Sequence, residues 1–452
     1  MNKTYDRARL MGEGDIGKIL WKFAVPAIVS QIIAAVYNIA DTMFVGMLGN
    51  TAAIGGVTVA FPLYLMINAV GIMFGIGLSS YSARLLGQNK KEKAKEVLAT
   101  VVFTALAAAI TIMIITLIFL KPILKALGAT NTIMPYALDF ITPLIFGSIC
   151  PVLFPVIANS IRAEGNTKYS AFAVGISGIL NIILDPILIF NFDMGVRGAG
   201  IATLLSQIVS LSFLLYYYLS KRSLLELSFK NFKPSKNIYK EVLKIGVANL
   251  LIQVSMSLSM AFLNIAAKPY GDGAIAAIGI SVRVSALVLF IIWGYNQGFQ
   301  PIASYNYGAQ KYDRLQKAIN ISIYRTTVFA VAATIFLWIF SKNAINLFSK
   351  DEEVIKLGVK ALRAVITTYP LLGFLFVHNS LFQAIGKGKE ALLLGASRQG
   401  LLFIPTILIL PKLFGLNGIL YTQAVADTIT IIIAIFLSKR IRLELKDKKQ
   451  VS

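Results

Sequence analysis

Cysteine and histidine occur once each in 452 residues, as Cys150 and His378. That scarcity excludes a disulfide framework, a Cys/His zinc site and a CxxC redox pair. Both are expected as core residues, one small and one a hydrogen-bonded helix histidine. Charge is also scarce: 14% of residues are charged and 57% hydrophobic, with a mean hydropathy of +0.73, against about 25% charged in a soluble globular chain. A water-soluble domain is excluded. No GxxxxGK[ST] loop occurs, so ATP is not expected to drive the protein. The one GxGxxG match, Gly12-Glu13-Gly14-Asp15-Ile16-Gly17, follows no strand-like run, which empties the dinucleotide reading. Acidic residues number 21 against 43 basic ones, for a net charge of +22. A nucleic-acid partner would need those basic residues on one soluble face with aromatic groups between them. Here they lie in loops between apolar segments.

Those segments are what the chain does have. A bilayer core about 30 Å thick needs about 20 mostly apolar residues per helical span. Twelve stretches qualify: 16–45, 52–82, 94–120, 132–160, 167–190, 198–220, 240–267, 274–305, 314–341, 353–384, 389–411 and 415–438. Lys3, Arg7 and Arg9 precede the first, but Glu13 and Asp15 intervene and the run is too long for a signal h-region, so no cleaved signal is expected. With the N-terminus inside, about 31 Lys and Arg fall on the cytoplasmic side and about 9 outside. The asymmetry predicts a multi-pass protein of the cell membrane with both termini cytoplasmic.

The second half repeats the first at an offset of about 221. Gln31 faces Gln253, Ala52-Ala53-Ile54-Gly55 faces Ala276-Ala277-Ile278-Gly279, and Gly87 with Lys90 faces Gly308 with Lys311. The loop Arg162–Lys168 faces Gln383–Lys389, and Gly195-x-x-Gly198 faces Gly415-x-x-Gly418. The expected architecture is all-α integral membrane, twelve transmembrane helices as two pseudo-symmetric six-helix lobes in parallel repeat. Its boundaries are 1–220 for the N-terminal lobe with a cation site, 221–240 for a cytoplasmic linker, 241–440 for the C-terminal lobe and 441–452 for a basic tail. Parallel repeats are the symmetry of transporters that bind cargo where the halves meet.

Asp41 and Asp185 sit deep in apolar runs, where a carboxylate costs at least roughly 2.5 kcal/mol. The first half has no mid-span Lys or Arg to pair with them, since Arg84 and Arg162 fall at helix ends. Protonation or a bound cation is left to neutralise them. Asn181 with Asp185, and Tyr37 with Asp41, are four residues apart and share a helix face. Thr203 and Asn159 could add oxygen ligands. Pro186 and Pro26 lack an N–H, predicting helix kinks that free the carbonyls of Ile182 and Lys22. Hard oxygens at Asp41, Asn181, Asp185 and Thr203 suit Na⁺, and the same carboxylates could instead carry a proton.

Asp41 with Pro26, Asn181-x-x-x-Asp185-Pro186, Thr203 and the doubled Gly-x-x-Lys loops together resemble the multidrug and toxic compound extrusion family, from about residue 15 to 440. The resemblance implies a prokaryotic multidrug exporter: a V-shaped pair of lobes, cation-coupled export of diverse compounds, and an N-lobe cation site at the positions matching Tyr37, Asp41, Asn159, Asn181, Asp185 and Thr203. It implies no enzyme and no cofactor beyond Na⁺ or H⁺ as coupling ion. The expected partners are small organic substrates and membrane lipid, and the chain is expected to act as a monomer. The second half departs from members that carry an acid in helix seven, since Gln253 stands there; Asp41, Asn181 and Asp185 fall opposite Leu263, Leu402 and Thr406. The acid chemistry belongs to the first half.

Arg283, Arg398 and Asp427 are C-half charged residues within the eighth, eleventh and twelfth spans, with an Arg398–Asp427 ion pair as the expected pairing. Met256, Met260, Gln253, Arg283 and Trp293 are candidates for a substrate cavity, because Met-rich surfaces adapt to varied ligands. Two other functions compete. A lipid or lipid-linked sugar flippase would need basic residues along its cleft, for which only Arg283 and Arg398 offer themselves. An intramembrane aspartyl protease would need both acids at one scissile bond in a GD-type motif, and the near match Tyr270-Gly271-Asp272-Gly273 lies in a predicted external loop.

Overall fold

The computed structural model describes residues 10–349 and 351–451, without the side chains of Asn38, Thr42, Asp272 and Val451. Lys3, Arg7 and Arg9 therefore lie outside the described residues, as does the Asp272 side chain. The first half holds α1 (Ile16–Gly46), α2 (Thr51–Gly87), α3 (Lys91–Ile118), α4 (Met134–Phe146), α5 (Ile149–Ala163), α6 (Thr167–Pro186) and α7 (Gly195–Leu219). The second holds α8 (Lys236–Ala267), α9 (Asp272–Gly308), α10 (Tyr312–Ile339), α11 (Glu352–Ile366), α12 (Tyr369–Ala384), α13 (Gly388–Ala396), α14 (Phe403–Phe414) and α15 (Leu416–Val451). Single-turn π segments, Ile187–Asn191 and Ser397–Leu401, extend α6 and join α13 to α14. No strand occurs among the described residues.

Among the described residues, ten helical stretches are long and apolar enough to cross a membrane, and the count reaches twelve when α4–α5 and α11–α12 are each taken as one span. The stretches 132–160 and 353–384, each expected as one span and long enough to tilt or kink, are bent by 50° and 48°. Proline explains both. Pro151 cannot bond the carbonyl four residues back at Gly147, nor Pro370 the carbonyl of Ile366, and each ring crowds that carbonyl, so the helix stops and restarts at a new angle. The expected basic tail is also helical, because Ile441 and Leu445, four residues apart, bury all but 2% and 3% of their surface. Lys449 pairs with Asp313 at 2.7 Å and Lys448 donates to Tyr307 at 2.8 Å on the same stretch.

The backbone repeats as the sequence does. Left-handed conformations recur at Gly49 and Gly271, Asn89 and Gln310, Gly165 and Gly386, and Gly195 and Gly415, at offsets of 220 to 222. At Asn89 and Gln310 the φ values are 58° and 57°, although the residue types differ. The turns were duplicated with the helices.

Two compact units divide the chain, the first taking residues 29–246 and the second 11–28 and 247–452. The first helix is thus split between them. Within the second unit, an added Cβ on Gly294 or Gly298 would stand 2.6 Å from the backbone of Ile28 or Ala24, so only glycine allows this packing. The carbonyls of Gly12, Gly14 and Gly17 accept from Lys311, Arg314 and Arg325 at 3.1, 2.7 and 2.9 Å. The GxGxxG segment is a set of capped carbonyls, and Lys311 of the doubled Gly-x-x-Lys loop is one of its donors.

The linker is anchored on the first unit. Glu164, at the end of α5 and 1% exposed, accepts from Ser223 Oγ at 2.6 Å, the Leu224 amide at 2.7 Å and Tyr217 Oη at 3.3 Å. Burial pushes its carboxyl up to about 7, against the pull of those donors. Between the ordinary glutamate range and 7 the folded protein keeps a proton that the unfolded chain releases, so stability falls as pH rises through that window. The effect is on the order of 3 kcal/mol. Glutamine at 164 can donate to Ser223 and still accept from Leu224. Melting of purified Glu164→Gln, followed from pH 5 to 8, should show a flatter pH dependence than the unsubstituted protein.

Candidate functional site

The two acids of the first half, 144 positions apart in the sequence, converge in the first unit. Their carboxyl groups lie within electrostatic reach of each other. Asp185, on the last turn of α6, is wholly buried, and Asn181, one turn earlier, is 3% exposed. The Asn181 amide donates to Asp185 Oδ1 at 3.2 Å and to Thr203 Oγ1 of α7 at 3.3 Å. Gly178, one turn further back, carries α1 close: a Cβ there would stand 2.8 Å from Ile33 and 3.2 Å from the Tyr37 ring. Pro186 marks the change from α to π winding just beyond Asp185, whereas Pro26 lies inside the continuous helix α1.

Three oxygens of this cluster, Asp41 Oδ1, Asn181 Oδ1 and Asp185 Oδ2, are buried and accept no hydrogen bond from the described residues. No salt bridge between described residues involves either aspartate. Unmet acceptors without a basic neighbour are able to take a proton or a hard cation. Asn159 is engaged within its own helix, donating to the Pro155 carbonyl at 2.8 Å and accepting from Arg162 at 2.8 Å.

Two residues that the sequence reading passed over join the group. Gln207 of α7 donates to Tyr64 Oη of α2, and Tyr64 interacts electrostatically with Tyr37 and Asp41. The Gln207 carbonyl oxygen is a fourth buried acceptor with no donor among the described residues. Its signal was present, since Gln207 lies four residues after Thr203 on the same face.

A cavity of about 220 Å³ lies within the second unit, with Met256, Met260 and Trp293 on its wall. Gln253 and Arg283 are exposed and do not line it. Arg398 does. Its Nε lies 3.0 Å from Asp427 Oδ1, the expected ion pair, and Thr368 and Gln423 also donate to that carboxylate at 3.1 and 2.6 Å.

The MatE family model matches residues 26–187 and, a second time, 247–409. The chain belongs to the MatE family. The two matched copies coincide with the internal repeat, and Asp41 and Asp185 fall in the first. This MatE chain is 31% identical over 431 residues to the multidrug export protein MepA of Staphylococcus haemolyticus, covering 95% of both. It is 28% identical over 420 residues to the same protein of Staphylococcus aureus, covering 93% of both. Among solved structures, a multidrug resistance MATE family transporter of the MOP superfamily in an outward-facing conformation superposes with a TM-score of 0.92 at 27% identity, over 98% of this chain and 99% of that one. A MOP superfamily transporter from Pyrococcus furiosus, described as having a binding pocket of reverse polarity, superposes with a TM-score of 0.91 at 27% identity, over 97% and 98%.

Proposed function

We propose that this MatE protein is a secondary active transporter of the cell membrane, exporting drug-like and cationic amphipathic organic compounds in exchange for Na⁺ or H⁺ moving inward. The observation that carries this reading is the pair of aspartates within electrostatic reach of each other, their unmet acceptors beside that of Asn181, without a salt-bridge partner among the described residues. In this reading an ion entering at Asp41 and Asp185 binds one orientation of the transporter more tightly than the other, and that difference in affinity drives the change of orientation. Asn181 holds Asp185 and Thr203 in register, while Tyr37, Tyr64 and Gln207 close the site from α1, α2 and α7. Both termini are cytoplasmic, and no covalent chemistry is assigned to the protein. The export named for the MepA relatives supports the choice of cargo.

Reconstituted vesicles loaded with a fluorescent organic cation test the proposal when Na⁺ and pH gradients are imposed separately. One of the two gradients should accelerate dye movement against its concentration, and collapsing it should stop that movement. Transport indifferent to both gradients overturns antiport.

A further inference from the structure

The cavity of the second unit is apolar over most of its wall, with Met256, Met260, Phe290, Trp293 and Phe403 among its lining residues. Arg398 is its one charged lining residue among the described residues, and it is 95% buried. A buried charge at a cavity wall needs more than packing to account for it.

Asp427 engages only part of the guanidinium. The carboxylate, wholly buried, meets the group from the side, with Nε at 3.0 Å from Oδ1 and Nη2 donating to Oδ2 at 3.4 Å. It also accepts from Gln423 and Thr368, so both of its oxygens already have donors. A guanidinium carries five N–H groups in a planar fork. The one hydrogen bond that Arg398 makes to the described residues is this long one from Nη2, its buried Nε makes none despite lying near Oδ1, and the Phe376 ring covers the plane at 5.3 Å. What faces the cavity is therefore donor and cationic, while the acid stays behind it.

The local winding supports the same reading. Arg398 sits on the π turn Ser397–Leu401, and the Gln399 carbonyl there accepts from Ser259 of α8. A π turn inserts a residue and re-aims its neighbours, at the cost of a regular hydrogen bond.

We propose that this cavity is a binding site for compact aromatic carboxylates, with the acid group on the free edge of Arg398 and the ring system among Met256, Met260, Phe290 and Trp293. Bidentate N–H···O pairing favours a carboxylate over a single carbonyl acceptor, and sulfur–aromatic and ring–ring contacts favour an aromatic body. The size, below the roughly 300–1,000 Å³ of drug-sized sites, selects compact molecules over two-chain lipids. As a second class of cargo beside cationic compounds, the ligand rests on the transport reading; its binding does not.

Titration calorimetry on the purified full-length protein, with 2-naphthoate and uncharged 2-naphthamide as probes, tests the site at equilibrium with no gradient. The naphthoate should bind at least tenfold more tightly than the amide. Arg398→Lys, which keeps the ion pair and loses the fork, should weaken naphthoate several-fold and leave the amide unchanged. In the charge-neutral double variant Arg398→Gln/Asp427→Asn the two probes should bind within twofold of each other. Asp41→Asn should bind both as the unsubstituted protein does, even with transport lost, which separates failure of this site from failure of ion coupling. No saturable naphthoate binding, or a tenfold preference that survives in the double variant, overturns the assignment.

Discussion

Asp41→Asn should lower gradient-driven efflux by roughly 100-fold or more while leaving the protein folded, because an ion with no differential affinity for two states shifts neither. The substitution is nearly isosteric, and Asp41 Oδ1 already lacks a donor, so little packing is at stake. The new amide can donate to Asp185, supplying permanently the interaction that a proton or cation supplies reversibly. Thermal melting should then be unchanged or slightly raised. Efflux at the unsubstituted rate, measured in cells lacking other exporters and at equal membrane abundance, would remove Asp41 from the coupling site.

The largest expected loss of stability is at Arg398. Arg398→Leu strands Asp427, which is fully buried, with only Gln423 and Thr368 as partners. Removing one member of a buried ion pair costs about 3–5 kcal/mol, whereas replacing both by apolar groups is often neutral. Arg398→Leu/Asp427→Leu should therefore melt closer to the unsubstituted protein than the single variant does. If the double variant melts lower than either single variant, by the sum of their losses, the pair is not coupled as described.

Much of this was legible in the sequence for reasons that can be named. Hydrocarbon thickness fixes helix length, so the apolar runs announce their number, and anchors such as Gly195-x-x-Gly198 and Gly415-x-x-Gly418 announce the repeat. Asp41 and Asp185 stood out because nothing near them in sequence was basic, and the family resemblance named the same positions. Arg398 and Asp427 were paired correctly, since each was the other's cheapest partner in an apolar span. The places of the bends were not read, because Pro151 and Pro370 lie in runs whose composition alone looks continuous. Tyr64 and Gln207 were overlooked as polar residues that ordinary helix contacts also explain. Arg283 fell off the cavity wall because the lining residues of its helix, Ile278, Ser281, Val282, Ser285 and Leu289, recur at helical steps that skip it, and Gln253 because the wall starts a turn later at Met256.

Left-handed turns recurring at matched positions mean that one mould was cast twice and then furnished differently. Where the first casting holds aspartate and asparagine, the second holds leucine and threonine, and it keeps its own charges on another turn. A lesion in the mould, such as a bulky residue at Gly165 or at Gly386, should therefore harm assembly alike in either half. A lesion in the furnishings should be felt in one half only.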